Sequence, residues 1–585
     1  MRVDEVMTTC EFDLVLRGGT VVDGSGGPAY VADVGICGET IVAVAPDLGS
    51  AARSIDAQGM LVTPGFVDIH THYDGQAIWD SRLTPSSGHG VTSVVMGNCG
   101  VGFAPSRPAD RARLIELMEG VEDIPGVVMT EGLNWDWESY PEYLDRVEAR
   151  PHDVNILSYL PHSPLRIHVM GERASVGEVA TPEDITEMTR LTREAMDAGA
   201  IGFSTSRLLL HRSSAGEHIP TLDAAEAELQ AIADVVAEAG GRILQINDDF
   251  DNYANLEDGF AMLRRIVEQA RIPLTLPLVQ NPKFPEGWET LVGKIEDASA
   301  AGLPIKAQAM PRGLGMILGL EASAHPFSLC PSYLAIAGLP LAERLERMRD
   351  PEFRQRLLGE TPIDPNVPLY SFSRRFDNMY ELGEPPNYEP RPEDAIASLA
   401  AEKGVAPEEL AYDLLLARDG KALLYLPFTH YVGGNLDSAL ALLRHKDVVI
   451  GLGDGGAHYG LICDASYPTF VLSYLVRDRT GGEAFPLAEA VKILTREPAL
   501  QVNLHDRGLV APGYHADLNV IDFDKLTLFS PEVAADLPSG GRRLVQGGTG
   551  FVATIVNGVP TILDDVFTGE LPGRLLRGPQ MLASE

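Results

Sequence analysis

The sequence has no long hydrophobic run and few cysteines. No stretch of 18 apolar residues occurs in the 585 residues, so no membrane-spanning helix is predicted. The cysteines are Cys10, Cys37, Cys99, Cys330 and Cys463. Their odd number and irregular spacing argue against a disulfide framework, and the first residues lack the basic-then-apolar order of a signal peptide. We therefore expect a cytoplasmic protein in a reducing compartment, with no membrane contact.

Positive charge is also scarce. The chain has 46 Lys and Arg against 83 Asp and Glu, a formal net charge of −37. Such a surface repels phosphate backbones and anionic lipids, which argues against nucleic-acid or membrane partners. The length exceeds what one hydrophobic core usually supports, so a large domain and at least one smaller unit are expected. We expect a small-molecule substrate and a homo-oligomer.

Both ends of the chain contain short β-type segments. Near the N-terminus they are separated by Gly, Pro or Asp, at 12–19, 20–24, 32–37 and 41–44. Segments with the same β-type pattern occur at 516–522 and 550–558. Short strands with regular turn signals predict an antiparallel β unit, here assembled from both termini.

The middle of the chain alternates between strand and helix. The candidate strands are 65–70, 92–97, 153–160, 200–204, 243–247, 273–279, 304–310 and 448–453. Residues 422–427 are a ninth candidate strand, one more than an eight-stranded barrel needs. One helix is predicted to begin at the N-cap Thr181 and end at Gly199, and another to run from Leu222 to Gly240. This α/β pattern predicts a closed (β/α)8 TIM barrel with its chemistry at the carboxyl ends of the strands. Residues 311–420 do not fit the alternation and are expected to form an insertion over that face as a lid.

The first candidate strand ends in two histidines. Phe66, Val67 and Ile69 are too apolar for a surface loop, and they lead into His70 and His72. Because side chains alternate along a strand, both imidazoles should point the same way. Two such imidazoles can bind one metal ion, and zinc takes histidine nitrogen readily.

Other strand ends also carry reactive side chains. Cys99 follows the second strand and is flanked by glycines, and could be a metal ligand or a buried small residue. Asp454 follows the last strand and could be an accessible carboxylate or a helix N-cap. The remaining side chains at strand ends are His162, Arg166, Ser204, Arg207, Gln245, Asn247 and His458.

Three segments together resemble the amidohydrolase superfamily: 64–72, 453–458 and 512–518. Residues 72–74, 96–101 and 202–205 are most similar to the N-acyl-D-amino-acid deacylase (D-aminoacylase) group, and the resemblance covers about residues 12–575. It implies a urease-like β-sandwich built from both termini and a metal-bearing barrel between them. The domains expected are 1–63, 64–495 with the insertion at about 311–420, and 496–585.

The resemblance also assigns a metal site. His70, His72 and Asp454 fall on its metal positions, and Cys99 matches the thiolate ligand of the D-aminoacylase group. Family members normally add one histidine from strand five and one from strand six, but 243–248 and 274–280 contain none. We therefore expect about one ion per chain, zinc being the usual metal and another divalent ion an alternative.

Roles for the other residues follow from this assignment. Asp454 would take a proton from activated water and deliver it to the leaving amine, while His162 or His458 would stabilise the oxyanion. The candidates for substrate binding are Arg166, Arg207 and Arg312 for a carboxylate, and Ser204, Gln245, Asn247 and His458 for other polar contacts.

Three functions remain open at this point. The first is hydrolysis of a linear amide such as an N-acyl-D-amino acid. The second is hydrolysis of a cyclic amide or lactone, as in hydantoinases and dihydroorotases, which a short closed lid would favour. The third is a barrel that has lost catalysis and acts as a binding subunit, suggested by the missing histidines. Metal content separates the third from the others.

Overall fold

The computed structural model describes residues 12–363 and 372–582. Cys10 and the expectations for the first eleven residues lie outside them. Eight parallel strands form one sheet in sequential order, which confirms the predicted barrel. These strands are Phe66–Asp68, Val91–Met96, Asn155–Pro161, Gly202–Ser206, Ile243–Asn247, Leu274–Pro277, Ile305–Ala309 and Val448–Ile450.

The two edges of this sheet meet just beyond the strand ends. Thr71 bridges Gly455 in parallel register, and the amide of His72 donates a 2.8 Å hydrogen bond to the carbonyl of Gly455. The segments after strands one and eight are therefore adjacent. Side chains from the beginning and the end of the barrel are brought into one site.

Helices alternate with the barrel strands. The longer ones are Arg111–Glu122, Tyr140–Ala149, His162–Met170, Pro182–Ala198, Glu226–Glu238, Tyr253–Ala270, Gly287–Ala300, Val471–Asp478 and Leu487–Leu494. The shorter ones are Gln76–Trp79, Gly126–Gly132, Glu172–Ser175, Asp437–Leu443, Tyr467–Phe470 and Arg496–Gln501. None of the helices in the described ranges combines the length and the apolar character of a membrane-spanning segment.

The two helix predictions differ in accuracy. Thr181 and Asp184 form a capping box, and Gly199 ends that helix with a φ of 108°, as expected. The next helix begins at Glu226 rather than Leu222. Residues 221–223 form a turn that includes a hydrogen bond from the amide of Ala224 to the carbonyl of Thr221, which delays the helix.

A nine-stranded sheet unites both ends of the chain. Its strands are Phe12–Val21, Tyr30–Cys37, Thr40–Ala45, Ala51–Asp56, Leu61–Pro64, Leu518–Ile521, Phe551–Val556, Val559–Leu563 and Val566–Phe567. Most of its pairings are antiparallel, as expected, but Phe12–Val21 pairs in parallel with Ala51–Asp56 and with Leu61–Pro64. Ala51–Asp56 and Leu61–Pro64 therefore both run in the same direction as Phe12–Val21. The precise domain boundaries stay a prediction.

The remaining strands and helices lie in the insertion and near the C-terminus. The insertion contains Gly315–Leu318, Pro331–Leu334, Leu341–Met348, Pro351–Leu358, Tyr380–Glu381, Ile396–Lys403 and Pro407–Gly420. The ninth candidate strand forms at Leu424–Pro427 and lies outside the barrel. It pairs antiparallel with Gly315–Leu318 and with Tyr380–Glu381. Two small ribbons pair Thr527–Leu528 with Gly548–Thr549, and Glu532–Ala534 with Arg543–Val545.

The insertion packs against the loop that follows the eighth barrel strand. The amide of Ile317 donates to the carbonyl of Leu461 at 2.7 Å, and the amide of Ser323 donates to the carbonyl of Gly460 at 2.9 Å. The insertion also has its own apolar core, around residues such as Phe327. It therefore lies on the carboxyl-end side of the barrel. Closure as a lid stays a prediction.

Candidate metal centre and active site

Three predicted metal ligands converge at the carboxyl ends of the first two barrel strands. The Sγ of Cys99 lies 3.4 Å from Nε2 of His70 and 3.9 Å from Nε2 of His72. One ligand atom from each residue lies within 4.8 Å of the other two, and all three side chains are buried. Two imidazole nitrogens and one thiolate sulfur are donors that zinc takes readily. The donor set therefore fits one zinc ion.

The loop that carries Cys99 depends on glycine. Cys99 has a φ of 57°, between Gly97 with 78° and Gly100 with 68°. A Cβ on Gly97 would lie 2.6 Å from the carbonyl oxygen of Tyr159, and one on Gly100 would lie 2.7 Å from Cα of Thr205. Only glycine permits this contact with the third and fourth strands. The tight approach places the thiol beside the histidine pair.

Asp454 lies between the two histidines. Its Oδ1 is 3.5 Å from Nε2 of His70 and 3.6 Å from Nε2 of His72. Its side chain is 14% exposed, whereas the histidine side chains are 1% exposed. The next helix begins only at Tyr467, so Asp454 caps no helix. The carboxylate therefore lies at the edge of the cluster that solvent can reach.

His70 is oriented by an amide on the seventh strand. Its Nδ1 lies 2.6 Å from Oε1 of Gln308, whose Nε2 donates to Oγ1 of Thr275 at 3.0 Å. Because the amide nitrogen of Gln308 is engaged with Thr275, its oxygen accepts from His70. The proton is thereby assigned to Nδ1, and the lone pair of Nε2 faces Cys99.

His72 has a different neighbour, which sequence reasoning did not find. Its Nδ1 lies 3.4 Å from Oε1 of Glu122, the last residue of the helix Arg111–Glu122. The other carboxylate oxygen of Glu122 lies 3.7 Å from Nε2 of His458. One buried carboxylate thus faces two histidines on different segments.

Cys99 is held by the two strand-five residues that had been predicted to bind substrate. Its backbone amide donates to Oε1 of Gln245 at 2.9 Å, and its Sγ accepts a 3.0 Å hydrogen bond from Nδ2 of Asn247. Nε2 of Gln245 donates to Oδ1 of Asn247, which completes a ring of three hydrogen bonds. Asn247 therefore contacts the thiol, and Gln245 contacts the backbone amide of Cys99. Contact of these two residues with substrate stays a prediction.

His162 and Arg166 also differ from expectation. Nδ1 of His162 lies 2.8 Å from Oγ1 of Thr205, and Nε2 lies 2.8 Å from Oε1 of Glu228. Arg166 forms an ion pair with the same carboxylate and donates to the carbonyl of Glu178. Both ring nitrogens of His162 are engaged, so it offers none to a carbonyl oxygen or a metal. The group is a buried ion-pair network.

The other residues expected to contact substrate have structural partners as well. Oγ of Ser204 accepts from the amide of Gly100 at 3.1 Å and donates to the carbonyl of Gly97, which supports the cysteine loop. Nη1 of Arg207 contacts Sδ of Met262 at 2.8 Å. Contact of Ser204 and Arg207 with substrate stays a prediction.

Arg312 is fully buried. It donates to Oδ1 of Asp464 at 2.9 Å, and its guanidinium lies 3.8 Å from the ring centroid of Tyr388. An arginine paired and stacked in this way is not available to bind a substrate carboxylate.

Two further histidines lie in loops that follow barrel strands. The side chain of His458 is 24% exposed. His211, in the loop after the fourth strand, is anchored through Nδ1 to Oγ of Ser206 at 2.9 Å. Burial, followed by the charges of His458 and His72, lowers the pKa of His211 to about 3. The charges of the cluster therefore act on His211.

Burial and mutual charge set the pKa values of the cluster. Burial lowers the pKa of His70 to about 4 and raises that of the Cys99 thiol to about 11. Burial opposes the charged form of His72 too, but Glu122, Asp454 and Cys99 raise its pKa well above the ordinary value. Burial likewise opposes ionisation of Asp454, yet the neighbouring histidines hold its pKa below the ordinary value. Asp454 is thus ionised at neutral pH.

The residues missed by sequence reasoning differ in how they could have been found. Gln308 lies near the end of a predicted strand and His211 in a loop after one, so the strand-end rule could have selected both. Glu122 ends a helix, and no motif marks it. Its proximity to His72 is a product of the tertiary fold.

The chain is similar to known proteins over most of its length. Residues 53–562 match the family model described as "Amidohydrolase family". D-aminoacylase of Alcaligenes xylosoxydans xylosoxydans is 29% identical, with 97% of each chain covered. N-acyl-D-aspartate deacylase of the same organism is 32% identical, covering 96% of this chain and 95% of that protein.

A solved D-aminoacylase structure resembles the whole molecule. It comes from work on the functional role of the binuclear metal center, with one-metal activation and second-metal attenuation. It is 25% identical, covers 97% of this chain and 99% of that chain, and has a TM-score of 0.62. The barrel, the family match and these relatives lead to one conclusion: the chain belongs to the amidohydrolase family, in its D-aminoacylase group.

Proposed function

We propose that this hydrolase cleaves the amide bond of an N-acyl-D-amino acid, using one zinc ion per chain. The observation that carries the proposal is the cluster of His70, His72 and Cys99 with Asp454 at its exposed edge. The relatives named for D-aminoacylase and N-acyl-D-aspartate deacylase activity support the substrate class. The compact cluster favours a working site over a barrel that has lost catalysis.

The proposed metal ligands are His70, His72 and Cys99. When bound, a zinc ion would polarise the scissile carbonyl and lower the pKa of water. Strands five and six provide Gln245, Asn247 and Thr275 near the cluster instead of histidines. Gln245 and Asn247 hydrogen bond to Cys99, and Thr275 hydrogen bonds to Gln308. None of these neutral side chains is a usual zinc ligand, which supports one ion per chain.

Asp454 is the proposed general base and acid. Its carboxylate is ionised at neutral pH, lies beside both histidines and is reachable by solvent. It would accept a proton from the attacking water and later donate a proton to the departing nitrogen. The C–N bond breaks, the carbonyl carbon gains the water oxygen, and the products are a carboxylic acid and an amine.

His458 and His211 are the proposed substrate contacts at the mouth. Each belongs to a loop at the carboxyl end of a barrel strand, and each can donate a hydrogen bond. Arg166 and Arg312 are engaged in buried ion pairs. Polar groups of the substrate would therefore be bound by imidazoles rather than by these two guanidinium groups, and Arg207, whose side chain is 25% exposed, stays a candidate.

A substrate screen tests the proposal. Chelated protein is assayed with N-acyl-D-amino acids, N-acyl-L-amino acids and cyclic imides, with and without added zinc. We expect zinc-dependent release of a free amino acid from at least one D-substrate and much less from its L-enantiomer. Hydrolysis confined to cyclic imides, or equal rates without any metal, would contradict the proposal.

A further inference from the structure

Glu122 is a buried acid beside the metal centre. It ends the helix Arg111–Glu122 and is 2% exposed, although a buried carboxylate is costly unless it is paired. Its Oε1 faces Nδ1 of His72 at 3.4 Å, and its Oε2 faces Nε2 of His458 at 3.7 Å. The described residues near it thus provide two imidazoles as partners.

The contact with His72 joins two buried polar atoms. Within the described part of the chain, Oε1 of Glu122 and Nδ1 of His72 form no hydrogen bond, and each faces the other in an ion-pair contact at 3.4 Å. Nε2 of the same imidazole faces Cys99 and Asp454. A proton on Nδ1, directed at Glu122, leaves the Nε2 lone pair directed at the cluster. Metal-binding histidines are commonly fixed in this way by a carboxylate behind them.

The two histidines of the cluster are therefore held differently. Behind His70 lies the neutral amide of Gln308, at 2.6 Å. Behind His72 lies the carboxylate of Glu122. A carboxylate makes a neighbouring imidazole a stronger donor to a cation than an amide does, because it offsets the charge that the imidazole takes on.

Glu122 also connects two active-site segments. Its backbone carbonyl accepts a 2.5 Å hydrogen bond from the amide of His458, and Oδ2 of Asp123 accepts from the amide of Gly460 at 3.2 Å. The loop that these bonds hold also carries Asp454. The end of one helix thus ties the segment after strand two to the segment after strand eight.

We propose that Glu122 is a positioning residue that fixes the orientation and tautomer of His72 for metal binding and holds His458 at the mouth of the site. The inference rests on the proposed metal-dependent function. Glu122 itself does not touch substrate or metal.

Four substitutions test this role. Glu122→Leu removes the acceptor at nearly the same size, whereas Glu122→Gln keeps an oxygen that can accept from His72. Glu116→Leu and Glu116→Gln are matched controls, since Glu116 is exposed on the same helix. Zinc affinity is measured by competition with a chelator, together with kcat, KM and Tm.

We expect Glu122→Leu to weaken zinc affinity by about 10- to 100-fold, the range found for partners of metal ligands. Glu122→Gln should lose less zinc affinity, because its amide oxygen can accept a hydrogen bond from His72. In both variants kcat should fall by a larger factor than KM rises. The Glu116 variants should retain wild-type zinc affinity. The comparison between Leu and Gln separates orientation of His72 from simple filling of space.

The outcomes distinguish this inference from the proposed function. Wild-type protein that binds no zinc would overturn the proposed function and this inference with it. Wild-type protein that binds zinc no more tightly than folded Glu122→Leu would overturn the inference alone. If Glu122→Leu does not fold, Glu122→Asp decides, because it withdraws the carboxylate by one methylene and should weaken zinc affinity about tenfold. Wild-type zinc affinity in Glu122→Asp would then refute the positioning role.

Discussion

Asn247 donates a 3.0 Å hydrogen bond from Nδ2 to the Sγ of Cys99. Asn247 lies on the fifth barrel strand, where the D-aminoacylase resemblance implies a histidine. An amide that donates to sulfur favours the thiolate, because the hydrogen bond stabilises its negative charge. The strand therefore supports the proposed thiolate ligand instead of adding a ligand of its own.

Removal of this donor should weaken the metal site. We expect Asn247→Leu to lower zinc affinity by about tenfold, the lower end of the range for groups that orient a metal ligand. Asn134→Leu, at an exposed position, is the control. Chelator competition measures the affinity. Unchanged zinc affinity in Asn247→Leu would assign the contact to packing only.

The metal content should be about one divalent ion per chain. The ligands His70, His72 and Cys99 form one cluster, and the fifth and sixth strands offer amides and a hydroxyl rather than histidines. Elemental analysis of protein purified without chelator measures the ratio. Two ions per chain, or none together with full activity, would be incompatible with the proposal.

Asp454→Asn should abolish proton transfer while preserving shape. We expect kcat to fall by about 100-fold or more and KM to change much less, since the amide cannot accept the proton. Asp413→Asn, an exposed residue of the insertion, is the control and should retain wild-type kcat. Wild-type turnover in Asp454→Asn would remove this residue from the mechanism.

Cys99 should report metal binding through its reactivity. A metal-bound thiolate is shielded from iodoacetamide. After chelation the thiol should react slowly at neutral pH, because burial raises its pKa to about 11. Its alkylation rate should then rise about tenfold per pH unit between roughly pH 7 and 10, as the thiolate fraction grows.

Peptide-resolved mass spectrometry measures this alkylation, and the other cysteines in the same sample are internal controls. Cys99→Ala should lower both metal occupancy and activity. Equal alkylation rates with and without metal, together with full zinc occupancy in Cys99→Ala, would show that the thiol only fills space.

Glu228 should stabilise the fold above acidic pH. Burial raises its pKa, but the hydrogen bond with His162 and the charges of His162 and Arg166 outweigh burial and hold it below the ordinary value of 4.5. A depressed carboxyl pKa gives stability that is present above about pH 4.5 and is lost as the pH falls through the folded-state value. Glu228→Gln should cost about 3 to 5 kcal/mol near neutral pH, because it leaves Arg166 without its partner.

Urea unfolding between pH 3 and 8 measures this effect. The difference between wild type and Glu228→Gln should shrink as the pH falls below 4.5. Glu226 lies on the same helix as Glu228 and forms an exposed ion pair with Arg265. Glu226→Gln should change the free energy of unfolding by less than about 1 kcal/mol. A difference that stays constant down to pH 3 would argue against ionisation of Glu228 as the cause.

Local signals in the sequence determined the barrel strands, the helix from Pro182 to Ala198 and the positions of His70, His72, Cys99 and Asp454. Strand alternation, capping residues and glycines act over a few neighbouring residues, so their consequences can be read without the fold. The same reasoning failed for Leu222, where a turn competes with the helix.

Only the tertiary structure decided which polar side chains face the cluster. Asn247 was predicted to meet substrate but contacts Cys99, His162 was predicted to be catalytic but pairs with Glu228, and Glu122 was not predicted at all. Each of these contacts joins residues 50 to about 150 positions apart. A buried polar side chain can hydrogen bond only with the groups that pack against it. Which groups those are depends on the packing of the whole barrel and not on residues nearby in the sequence.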